Sequence, residues 1–224
     1  MTTHSALQTL LNERHSCRGF KPDPVPQSVI ETIVKDAGRV PSWCNAQPWQ
    51  IHLTSGAGTD AFRKCMLEAF DTKGATTDFT APSGYTGPRK ERRKTCGLQL
   101  YEAVGIARKD RKGRASQMRE NYAFFGAPHV ALITTAAELG PYGALDCGGF
   151  ITAFCLSAQA QGVASIPQAA LAFYADDIRA HFDLPDDQLV LAAISFGYED
   201  PDHPANTFRT ERGSLDEMVK WHET

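Results

Sequence analysis

Three segments with strand character lie far apart in this chain: Trp49 to Thr54, His129 to Thr134 and Gln188 to Phe196. Several helical patterns intervene, and the first and last strands stand about 140 residues apart, which fits a single α+β domain better than a doubly wound sheet. Gly56 and Gly58 follow the first strand, but the next residues, TDAFRK, supply no third glycine, and no acidic residue that closes a βαβ unit follows. A dinucleotide fingerprint of the Rossmann type is therefore missing.

Helical spacing begins with Leu7, Leu10 and Leu11 and recurs from Ser28 as Val29, Ile30, Ile33, Val34 and Ala37, closed by Gly38 and Pro41. It resumes from Asp60 to Phe70, Arg89 to Ala107, Asp110 to Tyr122, Leu145 to Gln161 and Asp176 to Phe182. Asp110 stands where it would cap the helix that follows it. Residues 71–88 have almost no apolar periodicity and read as a long mobile loop. No repeat or linker divides the chain, so residues 1–224 read as one domain. It carries a helical excursion over about 71–125 and a C-terminal extension over about 199–224, loop first and amphipathic helix last.

Composition, 42% hydrophobic and 22% charged, is that of a globular protein, and no run of about 18 apolar residues or secretory signal is present. The chain reads as cytoplasmic, with no membrane partner. The six cysteines form no C-x-x-C pair, which leaves zinc and dithiol redox chemistry without a motif. A net charge of -3 offers no global attraction to nucleic acid, although residues 89–119 hold eleven of the 23 basic residues. Glu91, Glu102 and Asp110 break that field, so solvated helix faces or a channel attracting an anionic cofactor or substrate explain it better than a nucleic-acid partner does.

No G-x-S-x-G, H-E-x-x-H or Walker sequence occurs, and the seven histidines stand alone. Two other clusters carry chemistry. Arg14, His15, Ser16 and Arg18 crowd two guanidiniums, an imidazole and a hydroxyl into five residues, and Arg209 and Arg212 repeat the charge near the end. Such forks suit a phosphate, though an exposed basic turn would read the same way. In VPSWCNAQPWQIHL, Ser42, Asn45 and Gln47 offer donors and acceptors beside Trp43 and Trp49. Either a flat heteroaromatic partner or a proline-stiffened loop with packing tryptophans accounts for that stretch.

Taken together these residues resemble the FMN-dependent nitroreductase family, specifically its nitrobenzoate-reducing subgroup. The resemblance is carried by RHSCRGF at Arg14, PSWCNAQPW at Pro41, the run from YEAVGIARKD at Tyr101 through NYAFFGAPHVAL, and ASIPQ at Ala164 with the tail FRTERGSLDEMV. It implies a three-layer fold, a mixed and mainly antiparallel sheet flanked by helices, in an intertwined homodimer with FMN at the subunit interface. Arg14, His15, Ser16 and Arg18, with Arg212 and Arg209, would hold the phosphate and ribityl chain. Pro41, Ser42, Asn45 and Gln47 would approach the flavin from the other subunit. The backbone from Ser165 through Ile166, Pro167 and Gln168 to Ala169 would face the reactive ring edge.

Many relatives have an acidic residue and a glycine after the P-I stretch, where this chain has Gln168, Ala169 and Ala170. The resemblance implies an enzyme with no catalytic side chain of its own, in which NADH or NADPH reduces the flavin and a small aromatic oxidant reoxidises it, nitro to nitroso to hydroxylamine. Trp43, Phe124 and Phe125 are the expected substrate-pocket residues, covering the flavin's open face. Quinone reduction, reductive dehalogenation and flavin binding without turnover are the alternatives within this reading.

Overall fold

The computed structural model describes residues 2–223 and contains a four-stranded sheet in the order β1-β2-β4-β3. β2 (His129–Ala136) lies between β1 (Gln50–Ser55) and β4 (Gln188–Gly197), and β3 (Ala164–Gln168) lies outside β4. Every neighbouring pair is antiparallel; among the described residues parallel pairing enters only through isolated bridges, among them Ser16 to Ser165.

The run Val130-Ala131-Leu132-Ile133 is apolar on both faces of its strand, and both faces are covered. Val130 and Leu132 meet Phe62, Met66 and Ala69 of α3 (Ala57–Thr72) and Ile178 of α7 (Ala175–Phe182). Ala131 and Ile133 meet Ile33 of α2 (Gln27–Ala37) and Cys147, Phe150 and Phe154 of α6 (Gly140–Ala160). Two separate cores on one sheet give three layers. Ile133 pairs with Ala192 but Thr134 with Val190, so Leu191 is a bulge that changes which face β4 presents. Val190 and Ala193 then lie in the first core, and Ile194 and Phe196 in the second.

The helix α6 starts five residues before the expected Leu145, at Gly140, with Pro141 in its first turn, where a missing N–H is harmless. Gly143 allows the close approach of this helix to β2, since a Cβ there would sit 2.7 Å from the Thr135 hydroxyl. The excursion forms α4 (Gly87–Ala103) and α5 (Arg111–Arg119), which bury no residue fully. Both end before the sequence pattern suggests; after α4 the chain turns at Gly105, with φ 69°. Asp110 caps α5 as expected, accepting from the Gly113 N–H at 2.8 Å.

Two expectations fail. The loop after α3 is not free along its length: Thr76 pairs with Tyr174, Lys73 with Asp177, and Asp78 accepts from Arg179 and from the Val190 N–H. These contacts strap residues 73–78 to α7 and β4. The expected C-terminal amphipathic helix is a single turn, α8 (Leu215–Met218), closed by a capping box between Ser214 and Glu217. Among the described residues, no helix is long and apolar enough to cross a membrane.

Candidate functional site

α1 (Thr3–Glu13) ends where Arg14 leaves helical geometry, and the chain then runs beside β3: Ser16 bridges Ser165, and the Cys17 N–H donates to the Ser165 carbonyl at 3.2 Å. This fixes Arg14 to Arg18 on the sheet edge. The tail returns to the same place through Asn206, only 4% exposed, whose Oδ1 accepts from the Arg18 N–H at 2.7 Å. Its amide nitrogen donates to the carbonyls of Gly19 and Asp200, both at 2.9 Å.

A cavity of about 250 Å³ results, lined by Arg14, His15, Ser16 and Arg18 from the front, by Arg209 and Arg212 from the tail, and by Cys96 of α4. Four guanidiniums from segments almost 200 residues apart thus face one space. Arg18 lies over the Phe208 ring at 5.9 Å, and burial pushes its guanidinium pKa down. An anion in the cavity would offset that desolvation. His15 turns its Nε2 to Glu199 at 3.2 Å, so the imidazole is held at the wall by a carboxylate. Arg209 and Arg212 donate to tail carbonyls, which shapes the loop they sit on.

The Pro41 to Gln47 loop is elsewhere. None of its residues lines the cavity, and Pro41, Asn45 and Gln47 are exposed. Cys44, Asn45 and Gln47 all hold positive φ, at 51°, 58° and 49°, an unfavourable backbone that non-glycine residues keep only when the surroundings impose it. Here the Ser42 hydroxyl accepts from the Gln47 N–H at 2.9 Å, and Asp146 of α6 accepts from the Trp43 N–H at 2.9 Å. The Gln47 side chain donates to Asn45 at 3.2 Å. Trp43 packs at a tilt against Tyr142, with ring centroids 5.0 Å apart and an interplanar angle of 43°, and both rings remain exposed. Trp49 stacks on Phe150 and belongs to the core.

On β3, Ser165 and Ile166 are buried, whereas Pro167 and Ala169 are exposed at the edge. The Gln168 side chain is spent within the protein: it donates to the Asn121 carbonyl and accepts from the Ser195 hydroxyl. Only its backbone remains for a ligand.

Phe124 and Phe125 do not form a cover. Phe124 is fully buried and packs on Phe62 at 5.0 Å, with the Arg63 guanidinium on its ring at 5.6 Å. Phe125 is buried beside it. Loop length and aromatic placement suggest that these rings cover the flavin, yet left-handed backbone at both residues turns the chain into the core. Asn206, Cys96, Tyr142 and Asp146 went unrecognised in the sequence. None sits in a motif; Asn206, Tyr142 and Asp146 act through partners distant in the chain, and Cys96 lines the cavity from α4.

A three-layer α+β fold with an arginine-lined cavity at its sheet edge presents a donor set whose chemistry suits a phosphorylated organic group. The nitroreductase family model matches residues 11–198. The chain is 35% identical over 217 residues to nitroreductase NfnB of Mycolicibacterium smegmatis, covering 96% of this chain and 92% of that protein. It is 33% identical over 220 residues to a 4-nitrobenzoate reductase of a Nocardioides species, covering 96% and 89%. The structure of the FMN-dependent nitroreductase NfnB from Mycobacterium smegmatis in complex with NADPH superposes with a TM-score of 0.94 at 34% identity, covering 99% of this chain and all of that one. This protein belongs to the nitroreductase family.

Proposed function

We propose that this protein is an FMN-dependent NAD(P)H oxidoreductase that reduces nitroaromatic compounds by two-electron steps, nitro to nitroso to hydroxylamine, as a cytoplasmic homodimer. The observation that carries this reading is the cavity ringed by Arg14, Arg18, Arg209 and Arg212. Its donor set fits the phosphate of FMN, a dianion that four guanidiniums and the Ser16 hydroxyl would neutralise. The names of its relatives, nitroreductase and 4-nitrobenzoate reductase, support the oxidant class. The relatives' FMN and NADPH support the cofactor and the electron donor.

The homodimer rests on the geometry of the two half-sites. Within one chain Asn45 and Gln47, both exposed, and the half-buried Ser42 stand apart from the cavity. In a dimer these groups, with Pro41, meet the flavin held by the partner. Exposed Leu7 and Leu11 of α1 and Leu145 of α6 provide apolar surface for that contact. The chain works as one domain over residues 1–224, its excursion over 71–125 and its extension over 199–224 both serving the site.

When bound, FMN supplies a ring nitrogen that takes hydride from NAD(P)H and returns two electrons to the oxidant. The protein contributes position and field. Asn206 and Phe208 hold Arg18 in place before any ligand arrives. The exposed backbone at Pro167 and Ala169 would offer an approach to the ring edge, and the amides of Asn45 and Gln47 would supply donors beside the ring of the partner's FMN. Trp43 with Tyr142 sizes the space left for the aromatic oxidant.

Purified protein would be yellow, would bleach with NAD(P)H under argon, and would recolour on addition of a nitrobenzoate. A colourless preparation with no affinity for FMN overturns the reading. Bleaching without recolouring removes the nitroaromatic step.

A further inference from the structure

A second basic site lies on the other side of Cys96. We propose that the groove between α4 and α5, lined by Arg93, Lys94, Leu98, Tyr101 and Arg114, receives the 2′-phosphate and adenosine end of NADPH and makes the protein prefer NADPH to NADH. This rests on the nicotinamide-dependent activity proposed above.

The groove measures about 400 Å³ and shares Cys96 with the anion cavity, so the two sites are neighbours along one surface. Its arginines differ from Arg92 and Arg119 of the same excursion. Arg92 is paired with Glu217, and Arg119 with Asp71 in a two-pronged contact. Lys94 reaches only the exposed Glu91, at 3.4 Å. Arg93 and Arg114 have no side-chain hydrogen bond or carboxylate partner among the described residues. Instead each guanidinium is laid on an aromatic ring, Arg93 over Tyr85 at 5.3 Å and Arg114 over Tyr101 at 4.7 Å.

Stacking fixes a guanidinium without using its N–H donors, which stay available in the groove. The Arg114 Nε is buried and unpartnered, a donor that the fold desolvates and leaves unmatched. Exposed Leu98 beside Gly97 gives an apolar surface on which a purine can lie. NADPH differs from NADH by one phosphate monoester. Two preset arginine forks and a lysine answer that difference with charge-assisted hydrogen bonds.

The test compares 2′,5′-ADP with 5′-AMP, which differ only in the 2′-phosphate, by calorimetric titration of the purified protein. Wild type should bind 2′,5′-ADP at least about tenfold more tightly, and Arg93→Ala and Arg114→Ala should each erase most of that preference. Arg93 is exposed and makes no hydrogen bond, so its variant reports on binding and not on folding. In steady-state assays the ratio of kcat/KM for NADPH to that for NADH should fall about tenfold in both variants. Equal binding of the two nucleotides by wild type, or unchanged preference in both variants, overturns the proposal. If 2′,5′-ADP binds selectively but neither nicotinamide bleaches the flavin, the groove stands and the activity reading fails.

Discussion

The main-chain N–H of Arg18 donates to the side-chain oxygen of Asn206 at 2.7 Å, joining two segments 188 residues apart in the chain. The Asn206 amide nitrogen also serves two carbonyls, so one buried carboxamide sets how the front and tail arginines face each other. Asn206→Ala leaves these groups unmatched and should lower stability by about 2–4 kcal/mol. It should also weaken FMN at least about tenfold. Urea unfolding and flavin-fluorescence titration read the two effects. An unchanged flavin affinity would show that the tail reaches its position without this clamp.

Trp43 is 63% exposed and packed at a tilt against Tyr142, a costly placement for two large rings unless something covers them. Trp43→Ala and Tyr142→Ala should change stability by less than about 1 kcal/mol while shifting kcat/KM among nitroaromatics of different size by about tenfold. The two variants should move the substrate profile in the same direction. Profiles identical to wild type would make the pair a packing contact only.

Phe124 predicts the opposite pattern. Its ring is fully buried against Phe62, so Phe124→Ala should cost about 3–5 kcal/mol of stability. The ranking of nitroaromatic substrates should stay as in wild type. A reordered ranking at retained stability would return this residue to the pocket wall.

His129 gives a pH dependence. Its Nε2 accepts from the Val25 N–H at 2.9 Å, which requires a neutral ring with the proton on Nδ1, facing the Thr54 carbonyl at 3.4 Å. Burial lowers its pKa below the usual histidine value. The unfolded chain therefore takes up the proton first as pH falls below about 6.5, and stability drops from there until the folded pKa is passed. Urea unfolding between pH 7.5 and pH 5 should show this decline, and His129→Gln should flatten it. A wild-type profile with no slope in that window would mean the ring is already protonated or is not buried in solution.

Much of the scaffold was legible because burial leaves a mark on local pattern. The apolar run of β2 and the periodicity of α2 are direct signatures of a strand covered twice and a helix covered once. The Leu191 bulge left no mark, since Gln188 to Phe196 is apolar at nearly every position and either face would satisfy it. The strap over residues 73–78 depends on Asp78 meeting Arg179, about a hundred residues away, and polar composition alone read as freedom. In the candidate site the arginines and carboxamides stood out by type. Asn206, Tyr142 and Asp146 did not, because their work is to position other residues through contacts that only the folded chain creates.

The arginine cavity also has a place in time. Its front wall, Arg14 to Arg18, is made well before its back wall, Arg209 to Arg212. At about 5–20 residues per second, the ribosome separates the two walls by roughly 10 to 40 seconds. Both hydrophobic layers also wait for β4 and close only near the end of that interval, and the anion pocket closes later still. Capture of a phosphorylated ligand there would report that synthesis had passed residue 212, and a chain released early would be one that the ligand cannot rescue.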